Sequence, residues 1–213
     1  MKITEIEKKS KTRYTVYVDG EYFYILDAEI LTEHHVRAGM EVTEAFLEQL
    51  KAAAQLRRAR ERAFYLLSYR DHSEKELYQK LRRNVSDEAA AHTVAKMLEL
   101  GLLNDERYAE KLADYYLNQK QWSEKKSLYE MRQKGIPDEV ARLALEACEV
   151  QPEDQIRRLI DTKYARYLGD PKGNQKVINA LLRLGFSYGD VRAAVREYLE
   201  QIELEEEDEW QYE

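Results

Sequence analysis

A pattern of turns and helix caps repeats along the chain at intervals of about 50 residues, and it limits the fold more than any other feature. Short turns stand at 84–87, 135–138 and 185–188, and each leads into a helix-start pattern. The spacing also predicts that Leu77, Leu128 and Ile178 occupy equivalent apolar positions. Caps occur in every all-helical protein, but two nearly equal offsets with matched positions favour a repeat. Each unit is too small to bury a large face alone, so neighbouring units are expected to share a core.

Helix-start signals assign three helices to each unit. Ser73 and Glu76 form a capping-box pattern, in which a side-chain oxygen accepts a hydrogen bond from an orphan backbone N–H. Thr43, Asn104 and Ser123 stand at comparable helix starts. The helix formers that continue to about residue 70 are compatible with one long helix or two.

The first 27 residues predict a small β unit. The segments 13–18 and 21–26 are rich in β-branched and aromatic side chains, and Asp19-Gly20 lies between them. Asp-Gly is typical of a two-residue type I′ turn, because both central residues need positive φ. A two- or three-stranded sheet of this size needs support from the rest of the chain.

The predicted organisation is therefore mainly α-helical, with tandem three-helix repeats behind a small N-terminal β-hairpin unit. The predicted boundaries are 1–50 for the β-hairpin and short-helix unit, 51–103, 104–150 and 151–202 for the three repeats, and 203–213 for an acidic tail.

The acidity of the chain is concentrated at its carboxyl end. The 213 residues include 41 acidic and 34 basic side chains, for a formal net charge of −7. Residues 200–213 contribute eight acids and no base, so the remainder is near +1. Acidity therefore does not exclude an anionic partner for the body. We expect the tail to be solvated and disordered, with competition for basic residues of the body as the alternative.

Motifs for enzymes and for metal or cofactor sites are absent. The eight glycines never form a phosphate-binding loop, and no histidine lies in a zinc-protease motif. Adjacent His34 and His35 would point about 100° apart on a helix, which suits a shared metal poorly. Cys148 is the one cysteine, and its apolar context favours a buried or half-buried thiol. We therefore predict no catalytic activity, no cofactor and no metal.

Apolar runs remain far shorter than the roughly 20 residues of a membrane helix, and the amino terminus lacks a signal-peptide core. These observations predict a cytoplasmic protein without membrane association.

Basic residues are the main candidates for partner binding. The segment 57–83, which we call the basic strip, holds nine basic and four acidic side chains. Such a run can be a solvated helix face, or it can contact phosphates or an acidic protein surface. A second basic group lies in the second repeat. The predicted partner-binding residues are Arg57, Arg58, Arg60, Lys80, Arg82, Arg83, Lys125, Lys126, Arg132 and Lys134.

One segment resembles a known family. Residues 101–109, Gly-Leu-Leu-Asn-Asp-Glu-Arg-Tyr-Ala, are similar to the GLL[DN]D-x-[RK][FY]A signature of RecX regulatory proteins. Segments 73–83, 131–138 and 183–191 resemble the family's three repeats in order. The hairpin around residues 18–22 resembles the extra segment of longer members. Two features depart from the pattern: Asn84 stands where a glycine is usual, and the carboxyl end is strongly acidic.

The resemblance implies an elongated, curved array of repeats that binds the RecA recombinase. Such proteins lodge along the groove of its nucleoprotein filament on single-stranded DNA. There they inhibit or modulate strand exchange, ATP hydrolysis and coprotease function, in DNA repair and the SOS response. The implied protein is a cytoplasmic monomer without a cofactor. The alternatives are a helical-repeat module that contacts DNA directly through the same basic helices, and a generic helical adaptor.

Overall fold

The structure, a computed structural model, describes the backbone of residues 1–210 and the side chains of residues 1–202 and 204. It confirms the predicted fold class, a mainly helical chain with a small N-terminal β unit. The chain divides into two compact units, of which the first is Met1–Leu103 and the second begins at Asn104.

The β unit is a three-stranded antiparallel sheet. Its strands β1 (Ile3–Lys8), β2 (Arg13–Val18) and β3 (Glu21–Asp27) are adjacent in chain order. Asp19 and Gly20 have φ angles of 51° and 84°, which confirms the predicted turn between β2 and β3. The short helix α1 (Ala28–Glu33) follows directly.

One long helix, α2 (Glu44–Tyr69), belongs to two hydrophobic cores. The Thr43 side chain accepts a hydrogen bond from the Phe46 N–H at its start, as its sequence pattern predicts. Early in the helix, Leu50 and Ala54 pack beneath the sheet. Later, Leu66 packs with α3 (Glu74–Leu81) and α4 (Asp87–Glu99). The helix therefore crosses residue 50 without a break and supports the sheet, which could not stand alone.

The second unit contains two groups of helices, each with its own core. The first group comprises α5 (Asp105–Asp114), a π-helical turn (Tyr115–Gln119), α6 (Glu124–Gln133) and α7 (Asp138–Glu146). The second group comprises α8 (Pro152–Leu159), a π-helical turn (Ile160–Tyr164), a 3₁₀ turn (Ala165–Tyr167), α9 (Pro171–Arg183) and α10 (Tyr188–Trp210).

Backbone and side-chain hydrogen bonds join these two groups. The Ser123 N–H donates to the Leu184 carbonyl at 2.9 Å, and Lys126 Nζ donates to the Arg183 carbonyl at 2.8 Å. From α8, the buried Gln155 Nε2 donates to the Leu117 carbonyl at 2.9 Å. The turn before α10 therefore lies against the start of α6.

The repeat register differs from the predicted one by one residue. Ser73 and Ser123 cap equivalent helices, α3 and α6, which places them 50 positions apart. At the same spacing, buried side chains recur in two rows. These are Leu77, Ser127 and Val177, and Leu81, Met131 and Leu181. The predicted equivalence of Leu77 with Leu128 and Ile178 is therefore wrong. Ser127 is polar, and its burial is possible because its hydroxyl donates to the Ser123 carbonyl at 2.9 Å.

The register shift accompanies a helix-ending glycine that the second and third repeats have and the first repeat lacks. Gly135 and Gly185 have φ angles of 85° and 96° after α6 and α9, the left-handed conformation that ends many helices. The first repeat has one residue fewer between the starts of α3 and α4 than the second has between the starts of α6 and α7, and Asn84 does not adopt positive φ. Asn84 is therefore not a substitute for the glycine, and the first repeat uses a different turn.

The last helix extends into the segment predicted as an acidic tail. The backbone of α10 is helical through Trp210, and a disordered tail from residue 203 stays a prediction. The last three residues, 211–213, lie outside the described residues.

Candidate partner-binding surfaces

Arg57 is held inside the first unit by three carboxylates. Its guanidinium pairs with Glu29 of α1, with Asp27 at the end of β3 at 3.9 Å, and with Glu61 one turn along α2 at 3.2 Å. The hydrogen bond to Glu29 raises the pKa of Arg57 and lowers that of Glu29. Arg57 therefore joins α2 to α1 and the sheet, and its charge is neutralised within the unit.

Arg58 is also engaged inside the first unit. It donates to the Ile25 carbonyl at 3.0 Å, and its guanidinium lies 5.0 Å from the centre of the Tyr24 ring. Both partners belong to β3. Its role is therefore to fix the sheet on α2.

Around α3, much of the basic strip is paired with acids. Arg70 binds Glu76 at 2.5 Å, and Lys80 lies 3.7 Å from the same carboxylate. Arg82 pairs with Asp87 at 3.3 Å, while its guanidinium stacks over Tyr78 at 5.7 Å. These contacts tie the ends of α2, α3 and α4 together.

In the second unit, two of the four predicted residues stabilise the fold. Arg132 forms a bidentate pair with Asp138, which raises the pKa of Arg132 and lowers that of Asp138. Lys126 binds the Arg183 carbonyl and lies 4.4 Å from the Trp122 ring centre. Lys134 is half-buried and also has an interaction partner.

Three of the ten predicted residues are both exposed and unpaired among the described residues. Arg60 and Arg83 in the first unit and Lys125 in the second have no ion-pair or hydrogen-bond partner among the described residues. In the second unit, Tyr129 lies one helical turn after Lys125 on α6 and is 57% exposed. These three cations are the predicted residues that a partner can still bind without breaking an internal contact.

Sequence reasoning missed a second group of exposed residues. Residues 8–13 comprise the β1–β2 loop and the strand residue on each side of it, and they hold four basic side chains and no acid. On α2, Phe64, Tyr65 and Tyr69 are 48%, 62% and 85% exposed. The cluster of bases in the loop was a visible signal, but tyrosines at helical spacing are more often packing residues, and only the fold distinguishes the two roles.

Other candidate groups have ordinary environments. No cluster of three potential metal ligands occurs in the part of the chain that the structure describes. His34 packs edge-to-face on Phe46, with ring centres 6.2 Å apart. Cys148 is half-buried as predicted, and burial raises its pKa, which favours the unreactive thiol. Of the described helices, none is both long and apolar enough to span a membrane.

Buried His72 makes stability depend on pH. It lies between α2 and α3, with Nδ1 at 2.9 Å from the Arg70 carbonyl, and burial lowers its pKa below the usual 6.5. The unfolded chain therefore takes up a proton at a higher pH than the folded chain does. We expect the free energy of unfolding to fall as pH drops through and below 6.5, and to fall less in His72→Gln. Urea unfolding at a series of pH values measures how the free energy of unfolding changes with pH in the parent chain and in the variant. An equal change in both would contradict this role of His72.

The fold and these surfaces define a helical-repeat protein with exposed basic and aromatic side chains. Family models for the RecX N-terminal domain, the first three-helix domain and the second three-helix domain match residues 1–43, 59–97 and 104–145, together more than half of the chain. The chain belongs to the RecX family of regulatory proteins.

Individual relatives agree over most of their length. Regulatory protein RecX of Caldanaerobacter subterraneus subsp. tengcongensis is 29% identical, with 92% of this chain and 98% of the relative covered. That of Listeria innocua is 27% identical, with 97% and 79% covered. A crystal structure of regulatory protein RecX superposes with a TM-score of 0.60 at 26% identity, covering 90% of this chain and 97% of that one. RecX from Lactobacillus salivarius gives 0.59 at 26% identity, covering 68% and 97%.

Proposed function

We propose that this chain binds the RecA recombinase in its nucleoprotein filament on single-stranded DNA and inhibits its recombinase, ATPase and coprotease activities. In this proposal it acts as a cytoplasmic monomer in DNA repair and the SOS response, without a cofactor and without catalysis of its own. The observation that carries the proposal is the match to three RecX domains in their family order across both units.

The exposed cations suit binding to an acidic protein surface. Arg60, Arg83 and Lys125 have no internal carboxylate to give up, so that pairing with a partner costs only the ordering and dehydration of flexible side chains. Exposed Tyr129, one helical turn after Lys125 on α6, adds apolar area beside that charge. Preferential binding to one state of the filament would then increase the population of that state.

The paired arginines of the basic strip are poor candidates for direct DNA binding. Arg57, Arg58 and Arg70 are bound to groups of their own unit, so phosphates would have to compete with those contacts. This observation disfavours the alternative function, in which the basic helices contact DNA and RecA binding is secondary, as far as that function relies on these paired arginines.

Reversing the exposed cations tests the proposal. The triple variant Arg60→Glu, Arg83→Glu, Lys125→Glu is expected to lose about tenfold or more in inhibitory potency, because three favourable charge contacts become repulsive. The measurement is ATP hydrolysis by RecA on single-stranded DNA as a function of the added chain. Co-sedimentation with the filament measures binding in parallel.

A charge-matched control is available in the third group of helices. Lys172, Lys176 and Arg192 are exposed, and their replacement by glutamate changes the net charge by the same amount. This variant should inhibit as the parent chain does. Absence of both co-sedimentation and altered hydrolysis with the parent chain would refute the proposed function. Equal losses in the two variants would refute the assignment of these three residues.

A further inference from the structure

We propose that the first unit carries a binding surface for single-stranded nucleic acid, made of residues other than the three cations assigned to RecA. It comprises Lys8 at the end of β1, Lys9 and Lys11 of the β1–β2 loop, and Phe64, Tyr65 and Tyr69 of α2, and we call it the loop–helix surface. This assigns a role to the N-terminal β unit and does not depend on the proposed function.

The loop presents its lysines from an ordered turn. The Lys9 and Ser10 N–H groups both donate to the Arg13 carbonyl, at 2.9 and 3.1 Å. The side chains of Lys8, Lys9 and Lys11 are exposed, and none has an ion-pair or hydrogen-bond partner among the described residues. Because the backbone is fixed, binding a phosphate backbone requires ordering of the side chains only.

Arg13 holds this loop next to the exposed face of α2. Its guanidinium lies 3.8 Å from Glu61 of α2 and 3.6 Å from Asp27 at the end of β3. Glu61 is one helical turn before Tyr65, so the Tyr65 ring lies on the same face of α2 as the contact with Arg13. The lysines and the rings therefore belong to one surface.

The nearby carboxylates do not cancel the charge of the lysines. Asp27 and Glu61 each pair with both Arg13 and Arg57, and Glu29 pairs with Arg57. The two arginines thus offset two of the three acids between the sheet and α2, so that one negative charge remains against the three lysines. The charges of the three loop lysines remain in excess.

The aromatic side chains are placed for stacking. Tyr65 and Tyr69 are four residues apart on one helix face, about 6 Å along the axis. The Arg62 guanidinium lies 5.1 Å from the centre of the Tyr65 ring, and so adds a cation beside it. Phe64 and Arg60 line a groove between α1 and α2.

This combination favours a single strand over an acidic protein. Unstacked bases present flat faces to aromatic rings while phosphates bind lysines, and stacking of this kind is tolerant of sequence. A duplex hides its base faces, and an acidic peptide would satisfy the lysines without using three exposed rings. The predicted ligand is therefore single-stranded DNA or RNA, bound with little sequence preference.

Two variants separate the electrostatic and stacking contributions. With a fluorescein-labelled oligo(dT) and the full chain, anisotropy is measured over a series of NaCl concentrations. Lys8→Glu, Lys9→Glu, Lys11→Glu should weaken binding at least tenfold at low salt and reduce the slope of log K against log salt by about 2. The double variant Tyr65→Ala, Tyr69→Ala should weaken binding about tenfold with the slope unchanged. The double variant Tyr65→Phe, Tyr69→Phe keeps both rings and should bind as the parent chain does.

The control is again Lys172→Glu, Lys176→Glu, Arg192→Glu, which should retain binding because it changes net charge outside the surface. Absence of binding by the parent chain, or an equal loss in this control, overturns the proposal. Normal oligo(dT) binding by the lysine variant together with lost filament binding would assign the surface to a protein and also overturn it. The oligo(dT) assay contains no RecA, so its result is independent of the test of the proposed function.

Discussion

Gly185→Ala is expected to lower the free energy of unfolding by about 2–4 kcal/mol, through backbone strain and a lost helix cap. Gly185 has a φ angle of 96°, a left-handed conformation that an alanine adopts only with strain. An added Cβ would also collide with Ser123 Oγ and lie 2.6 Å from the Cβ of Lys126. Neither neighbour can move away freely, because both belong to the first turn of α6.

The collision falls on the junction between two helix groups of the second unit. Ser123 Oγ accepts from the Lys126 N–H at 3.2 Å, and the Ser123 N–H donates to the Leu184 carbonyl at 2.9 Å. Relief of the clash would separate these groups. We therefore expect the loss of the α6 cap and of the hydrogen bond across the junction to add to the cost of strain.

Gly101→Ala is the matched control for Gly185→Ala. Gly101 has a φ of 65°, and an added Cβ there meets no atom within 4 Å. Its expected cost is that of the left-handed backbone alone, about 1–2 kcal/mol. Urea unfolding followed by far-UV circular dichroism and by the fluorescence of Trp122, which adjoins Ser123, measures both variants. Equal costs would show that the junction contact contributes nothing to stability.

Local chemistry explains why most helix boundaries could be predicted from sequence. The side chains of Ser73, Ser86 and Asn104 each accept a hydrogen bond from a backbone N–H three residues later, as capping patterns predict. The Asp19-Gly20 turn is equally local, because its two residue types supply the positive φ angles. These signals need no knowledge of the tertiary structure.

The role of each basic residue could not be predicted in the same way. Arg57 and Arg60 lie three residues apart on α2, yet one binds three carboxylates and the other is exposed. Two of those carboxylates come from the end of β3 and from α1, so the pairing exists only after the sheet has packed on α2. Charge in the sequence therefore identifies candidates, while the fold decides which of them remain available.

Leu181→Ala is expected to have the second large effect, about 2–5 kcal/mol of lost stability. Leu181 on α9 is fully buried, in the same repeat position as Leu81 and Met131. Its removal leaves a cavity in the core of α8, α9 and α10, because packed helices close such a space only in part. Urea unfolding monitored by circular dichroism gives the difference in free energy directly.

Leu182→Ala provides the comparison that makes this a test of register. Leu182 is the neighbouring residue with the same side chain, but it is only half-buried at the edge of that core. Its truncation should cost less than half as much, since solvent already reaches the side chain. The predicted register made Ile178 the equivalent of buried Leu77, and the same spacing makes Leu182 rather than Leu181 the equivalent of buried Leu81. A larger loss from Leu182→Ala than from Leu181→Ala would therefore support that register and contradict the 50-residue rows of the structure.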